Sequence, residues 1–349
     1  MKKQFLLRLA MCVFVCSVNA QNTEVKFSYE DKIASWLSES LVPAVGIGII
    51  ENGELKHTKV FGKLKADTDS PAPENTVFNV ASLTKPVTAM VTLKLVSAGK
   101  WNLDEPLSTY WIDPDIKRDP RHAKLTTRFV LSHQTGFPNW RWDDGSNMLS
   151  FKFDPGSQYG YSGEGFEYLR KAIEKKFGNS LEELASVYLF RPLSMNSTWF
   201  TRNTSIASRF AHWHDKAGKN TYETKMRTDV SAADDLMTTI EDYAKFAADV
   251  LKGGGLSHGL FADMVRPQVH VKNHIEYGLG WLIVNDLPND EYALVHTGSD
   301  VGVRTAVILL PKSLRGIVVM TNSDRGMEVI RNVVIESLVE GSHIVSYMQ

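Results

Sequence analysis

The segregation of β-type sequence to the two ends of the chain is the strongest constraint on its fold. Residues 44–63, "AVGIGIIENGELKHTKVFGK", place two β-rich runs on either side of "ENGE", a hairpin signal. From residue 277 onward come "YGLGWLIVN", "YALVHTG", "RTAVILLP" and "RGIVVMTN", and the short connections "DLPNDE" and "PKSLRG" make neighbouring strands antiparallel. Residues 101–270 lack sustained alternation and carry helical stretches instead, among them "TTRFVLSH", "EGFEYLRKAIEKKFG", "SLEELASVYLF" and "TIEDYAKFAADVLKGGG". The last opens with Thr239 and Asp242 at capping-box spacing and ends in glycines. Further helices are expected around "YEDKIASWLSESL" and over roughly 326–340. Two groups of strands so far apart in the chain bury their apolar faces most simply in a single sheet. The predicted architecture is therefore α/β in the α+β sense. An antiparallel sheet built from both chain ends (21–103 and 271–349) is flanked by helices, with a mainly helical inserted region at 104–270.

The first 20 residues, "MKKQFLLRLAMCVFVCSVNA", have a basic start at Lys2, Lys3 and Arg8. A short apolar core follows, then small residues before Ala20. The pattern predicts a cleavable export signal cut after Ala20, hence a periplasmic or secreted protein without a membrane span once the leader is removed. Cys12 and Cys16 both lie in that leader. The mature chain would then have no disulfide, no catalytic thiol and no cysteine metal site. The chain has 39 basic and 40 acidic residues with no basic run, so a nucleic-acid partner is not expected.

Candidate chemistry begins at "NVASLTKPVTAM", residues 79–90. The run from Leu83 to Ala98 reads as a helix closed by Gly99, and Pro86 fits only in its first turn, which predicts a helix start near Ser82. Residues three apart share a helix face, so Lys85 can reach the Ser82 hydroxyl. A serine beside a lysine at a helix N-terminus is one way to activate a nucleophile. The spacing is common, however. Its second copy, Ser97 to Lys100, straddles the predicted helix end and reads as capping.

Two further stretches carry chemistry. "PGSQYGYSGEG" sets Tyr161 in a glycine-punctuated loop, and "LVHTGSDVG" sets His296, Thr297 and Gly298 on a late strand. Taken in order, "SLTK", "YSG" and "HTG" resemble the three motifs of the serine β-lactamase and penicillin-binding-protein superfamily, most closely its class C β-lactamase and esterase branch. "LTTRFVLSHQTGFP", "LFRPLSMNSTWF", "SAADDLMTTIEDYAKF" and "YGLGW" resemble its spacer segments, and the likeness runs from about residue 30 to about 325.

The resemblance implies a β-lactamase/transpeptidase-like fold and an active site between sheet and helical region. Ser82 would be the acylated nucleophile, and Lys85 would link it to Tyr161. Tyr161 would be the general base in acylation and the activator of water in deacylation. A phenol titrates near 10, so this role needs Lys85 to stabilise the phenolate. Which of the two takes the serine proton is disputed across the superfamily. The oxyanion hole would be the amides of Ser82 and Ser299. Gly298 would let the strand approach the substrate closely.

Three departures bear on substrate. His296 stands where Lys is frequent. Gly163 stands where an Asn usually contacts the substrate's amide. Asp234 replaces a small residue before a "DL" pair and, if near the pocket, would oppose anionic substrates. The expectation is an exported serine hydrolase without cofactor or metal, acting on a small ester, β-lactam or short peptide, with esters favoured. A β-lactamase or D-amino-acid peptidase is the alternative, and a non-catalytic peptidoglycan- or peptide-binding module a more distant one. Oligomeric state is not readable. Two rivals lack their signatures. His212, His214, His270 and His274 form no H-E-x-x-H metal motif. Ser162 nearly completes G-x-S-x-G, but Glu164 occupies the required glycine.

Overall fold

The computed structural model describes residues 30–143 and 145–347. The predicted leader and its cut after Ala20 lie outside the described residues. In chain order the first half contains α1 (Glu30–Ser40), β1 (Ala44–Glu51), β2 (Glu54–Gly62), β3 (Val77–Asn79), α2 (Thr84–Ser97), α3 (Thr127–Leu131), α4 (Gly163–Phe177) and α5 (Leu181–Ala185). After these come β4 (Thr198–Trp199), β5 (Met237–Thr239), α6 (Ile240–Leu251), α7 (His258–Val265), β6 (Val269–Lys272) and β7 (Ile275–Tyr277). The chain closes with β8 (Leu282–Leu287), β9 (Glu291–Asp300), β10 (Val303–Leu310), β11 (Arg315–Thr321), α8 (Gly326–Ser337) and α9 (Gly341–Tyr347). Among the described residues no helix is long and apolar enough to cross a membrane.

The main sheet has the order β2-β1-β11-β10-β9-β8-β7-β6, antiparallel throughout. The two chain ends meet where β1 pairs with β11, Val45 opposite Thr321 and Ile49 opposite Ile317. Strand alternation then sends side chains to two cores. Val45, Ile47, Val319 and Ile317 pack on one face with Ile330 and Val334 of α8. Phe78, Val318 and Met320 pack on the other with α2 and α6. A small sheet, β3-β5-β4, ties the start of the nucleophile segment to the middle of the chain.

Helix α2 is the central beam. Eleven of its 14 residues are buried, and each large apolar side chain among them contributes about 1.5–3 kcal/mol on leaving water. Its threonines are buried without being orphaned. Thr84 Oγ1 donates to Ala81 O at 2.6 Å, Thr88 Oγ1 to Ala232 O at 2.8 Å and Thr92 Oγ1 to Thr88 O at 2.8 Å.

Three details differ from the sequence expectation. The α-helix starts at Thr84, and Ser82 lies in a preceding 3₁₀ turn, Ala81–Leu83. The ring of Pro86 crowds the carbonyl four residues back, which is that of Ser82, so the regular helix cannot extend through the serine. Strands also return earlier than 277, in the β6–β7 hairpin. "YGLGWLIVN" is broken after Tyr277 by a turn in which Gly280 has φ +86°. The last helical stretch is two helices, α8 and α9.

Candidate active site

The nucleophile turn is held from several sides. Ala81 takes φ +48°, an uncommon conformation for a residue with a side chain. Asn79 supports it: Oδ1 accepts from Ala81 N–H at 2.7 Å while Nδ2 donates to Asp235 at 2.8 Å. Tyr243 Oη donates to Leu83 O at 2.8 Å, and Thr305 Oγ1 to Val80 O at 2.9 Å. Strand β9 presses on the same turn. A β-carbon at Gly298 would lie 2.4 Å from Val80 O and 2.2 Å from Thr305 Oγ1. Gly298 therefore serves the approach of the serine turn rather than open contact with substrate, and it does not line the cavity.

Lys85 is buried, with Nζ 3.0 Å from Ser82 Oγ and 2.8 Å from Ala233 O. Helix α4 places that carbonyl. Glu167 accepts from Ser231 Oγ at 2.7 Å and Ala232 N–H at 2.8 Å, fixing the segment that ends in Ala233. Burial lowers the Lys85 ammonium to about 8, against the charges of Asp234 and Glu167, which favour the charged form. A neutral amine is thus accessible near physiological pH.

Tyr161 differs from expectation. Lys85 Nζ stands over the face of its ring, 4.7 Å from the centroid. Burial raises the phenol above its ordinary value. The Ser82 hydroxyl, hydrogen-bonded to it, pulls down, and the Asp234 charge adds to the rise. The environment favours the protonated phenol and the neutral amine. Sequence alone could not distinguish a cation beside the phenol oxygen from one over the ring.

β9 supplies the opposite edge. β8 pairs with it only as far as Leu282 opposite Val295, so residues 296–300 have no strand partner on that side. His296, Thr297 and Ser299 line the cavity there. His296 Nδ1 donates to Thr297 O at 2.9 Å, which leaves Nε2 an acceptor, and that buried atom has no partner among the described residues. Burial, reinforced by the Lys85 charge, lowers this imidazole to about 3, so it is neutral at working pH.

The other wall comes from the loop 133–143 and the start of α4. Four consecutive amides at that start find acceptors. Ser162 N–H reaches His133 Nδ1 at 3.1 Å, Gly163 N–H reaches Asn139 Oδ1 at 3.0 Å, Glu164 N–H reaches Asn139 O at 3.0 Å, and Gly165 N–H reaches Ser162 Oγ at 3.0 Å. Ser162 is thus a helix cap, its hydroxyl also donating to Pro138 O at 2.7 Å, and is not placed as a nucleophile. Buried Glu164 holds Arg141 at 2.8 Å, and Arg141 also reaches Asp113 at 3.1 Å and Asp115 at 3.2 Å.

Ser82, Lys85, Tyr161, His296, Thr297 and Ser299 thus meet around one cavity of about 390 Å³. Asn139, Trp140, Tyr159, Asp234, Tyr277 and Tyr347 join them, and of these sequence reasoning had singled out only Asp234. "GFPNW" directly after a predicted helix was the available signal for Asn139 and Trp140. Burial raises the Asp234 carboxyl to about 7, with Asp235 and Asp300 pushing the same way and Lys85 opposing.

Ser97 lies at the far end of α2, away from this cavity. The histidines weighed as metal ligands sit apart. His214 is engaged at both ring nitrogens by backbone, Asn322 O at 2.9 Å and Ala66 N–H at 3.1 Å, while His274 bonds Asp286 at 2.6 Å. The acidic trio Asp234, Asp235 and Asp300 is partly committed, because Asp235 pairs with Arg227 at 2.8 Å.

Known proteins are similar to this chain. The chain is 24% identical over 314 residues to Protein flp of Staphylococcus aureus (strain MW2), a match covering 82% of this chain and 61% of that protein. It thus spans about three fifths of the length of that relative. It is 24% identical over 319 residues to Penicillin-binding protein 4* of Bacillus subtilis (strain 168), covering 80% of this chain and 68% of that one. The octameric penicillin-binding protein homologue from Pyrococcus abyssi has the same fold, with TM-score 0.74, 22% identity and coverage of 88% and 76%. The Beta-lactamase family model matches residues 30–339, and the chain belongs to that family.

Proposed function

We propose that the protein is a serine hydrolase that works through an acyl-enzyme on Ser82 and prefers esters. The observation that carries the reading is the buried Lys85 amine, 3.0 Å from Ser82 Oγ and brought to about 8. Neutral Lys85 takes the hydroxyl proton as Oγ attacks the carbonyl carbon. The oxygen that becomes negative accepts from the amides of Ser82 and Ser299, donors set before reaction. As the carbonyl re-forms, the bond to the leaving group breaks, and that group takes the proton from the Lys85 ammonium. Water then attacks the acyl-enzyme as neutral Lys85 takes its proton, and Lys85 returns that proton to Ser82 Oγ as the acid is released.

The ester preference rests on what the cavity offers a substrate. His296 is neutral, and Asp234 and Asp300 stand nearby, so a penicillin's carboxylate finds little attraction. Gly163 has no side chain to hold an amide. An ester with a neutral leaving group needs neither contact. The positions that would give a β-lactamase or D-peptidase a cationic and an amide partner, 296 and 163, hold a neutral imidazole and a glycine. kcat/KM measured for p-nitrophenyl butyrate and for nitrocefin tests the preference, and a higher value for nitrocefin would overturn it.

A further inference from the structure

We infer that Asn139 and Trp140 form the subsite that recognises the substrate beyond its reacting carbonyl, taking the place of a side chain at position 163. This deepens the hydrolase reading above and rests on it. The occupant has a carbonyl-type hydrogen-bond acceptor next to a flat apolar group, as in an ester that also carries a secondary amide.

The geometry at Gly163 is the starting point. A β-carbon there would lie 2.7, 2.9 and 3.0 Å from three atoms of the Trp140 six-membered ring. The indole fills the volume that any larger residue would need, and an indole in contact on several sides cannot yield as a flexible chain end would. Trp140 also stacks on Trp142, with centroids 5.0 Å apart and planes 8° from parallel. Trp142 is 55% exposed, so the pair runs from the cavity wall to solvent.

Asn139 stands beside it. Its Oδ1 and its backbone carbonyl both serve the first amides of α4. The carboxamide is therefore pinned with its NH₂ end left over. Nδ2 has no partner among the described residues, and the residue lines the cavity with Ser82 and Tyr161. The segment is also rigid. Arg141 is clamped by Glu164, Asp113 and Asp115, and Trp140 N–H is held by Asp143 at 2.9 Å. A fixed donor next to a fixed aromatic face is a recognition element that costs little ordering on binding.

The test uses ester pairs and the variant Asn139→Asp, which keeps the Oδ1 acceptor for Gly163 N–H and removes the donor. In the acyl arm, the p-nitrophenyl ester of N-acetylglycine is compared with p-nitrophenyl butyrate. In the leaving-group arm, 4-acetamidophenyl butyrate is compared with phenyl butyrate. Wild type should prefer the amide-bearing ester in one arm, and that arm says on which side of the scissile bond the subsite lies. Asn139→Asp should reduce this preference about two- to tenfold, the usual net consequence of losing one hydrogen bond. Trp140→Ala should reduce it too and should allow Gly163→Asn, harmful alone, to be tolerated in the double variant by melting temperature. Parallel losses for both members of each pair, or no preference in either arm, would overturn the subsite. Absence of fluorophosphonate labelling of wild-type Ser82 would instead overturn the hydrolase reading.

Discussion

The two walls of the cavity are built by different means. On the sheet side, Ser82, Lys85, His296 and Ser299 sit on or against regular elements, and the spacing of each pair follows from a helix turn or a strand. On the other side, Asn139 and Trp140 lie in loops. Those loops are placed by polar contacts between distant residues, chiefly Arg141 with Glu164 and Asn139 with the first amides of α4. The first wall holds groups suited to bond making, where small displacements are costly. The second holds groups suited to choosing a substrate, which a loop can vary without disturbing the first. The comparison can be broken or sharpened at either wall.

The largest effect is expected at the serine. Ser82→Ala should abolish fluorophosphonate labelling and reduce turnover by at least about a thousandfold. Ser97→Ala should change either by less than about twofold, because Ser97 lies at the opposite end of α2. Peptide mapping that finds the label on another serine would remove the basis of the mechanism.

Next comes Gly298→Ala. The added carbon would meet Val80 O and Thr305 Oγ1 inside contact distance. Overpacking of this kind costs about 1–3 kcal/mol, and here it also displaces the serine turn. Both the melting temperature and the labelling rate should fall. A variant that melts lower but labels at the wild-type rate would show that the turn is not coupled to the strand.

Arg141→Ala strikes the loop wall. It leaves Asp113 and Glu164 buried without their cation, which costs about 3 kcal/mol, the low end for a broken buried pair because Arg141 is partly solvated. Fluorophosphonate should still label Ser82, while KM for amide-bearing esters rises. Equal loss of labelling would mean that the two walls fold as one unit.

The smallest effect concerns pH. If neutral Lys85 is the base, kcat/KM should rise with pH through a midpoint near 8. The Asp234 anion stabilises the ammonium, so Asp234→Asn should move the midpoint to lower pH. Tyr161→Phe should lower the plateau and leave the alkaline rise in place. Loss of that rise in Tyr161→Phe would transfer the role of base to the tyrosine.

Much of the sheet-side wall could be read from the sequence because its information is local. Period-two runs define strands, a proline fixes where a helix can begin, and residues three apart on one turn must be neighbours. The hairpin at "ENGE", the capping at Thr239 and the reach of Lys85 to Ser82 all follow from such short-range rules. What Glu164 and Glu167 do could not be read this way. Glu164 stood out in the sequence only as the residue that breaks G-x-S-x-G and Glu167 not at all, yet one holds Arg141 and the other orders the carbonyl that receives Lys85.

By itself the sequence determined the alternation of strands and helices, the three motifs and the pairing of a serine with a lysine one turn away. The tertiary structure decided the protonation states and the shape of the pocket. Lys85 lies over the face of the Tyr161 ring, and burial raises the phenol while it lowers the amine. Trp140 fills the space at Gly163, so an absent side chain became an aromatic wall. Both outcomes depend on desolvation and on van der Waals contact between residues far apart in the chain, and neither quantity is defined until the chain has folded.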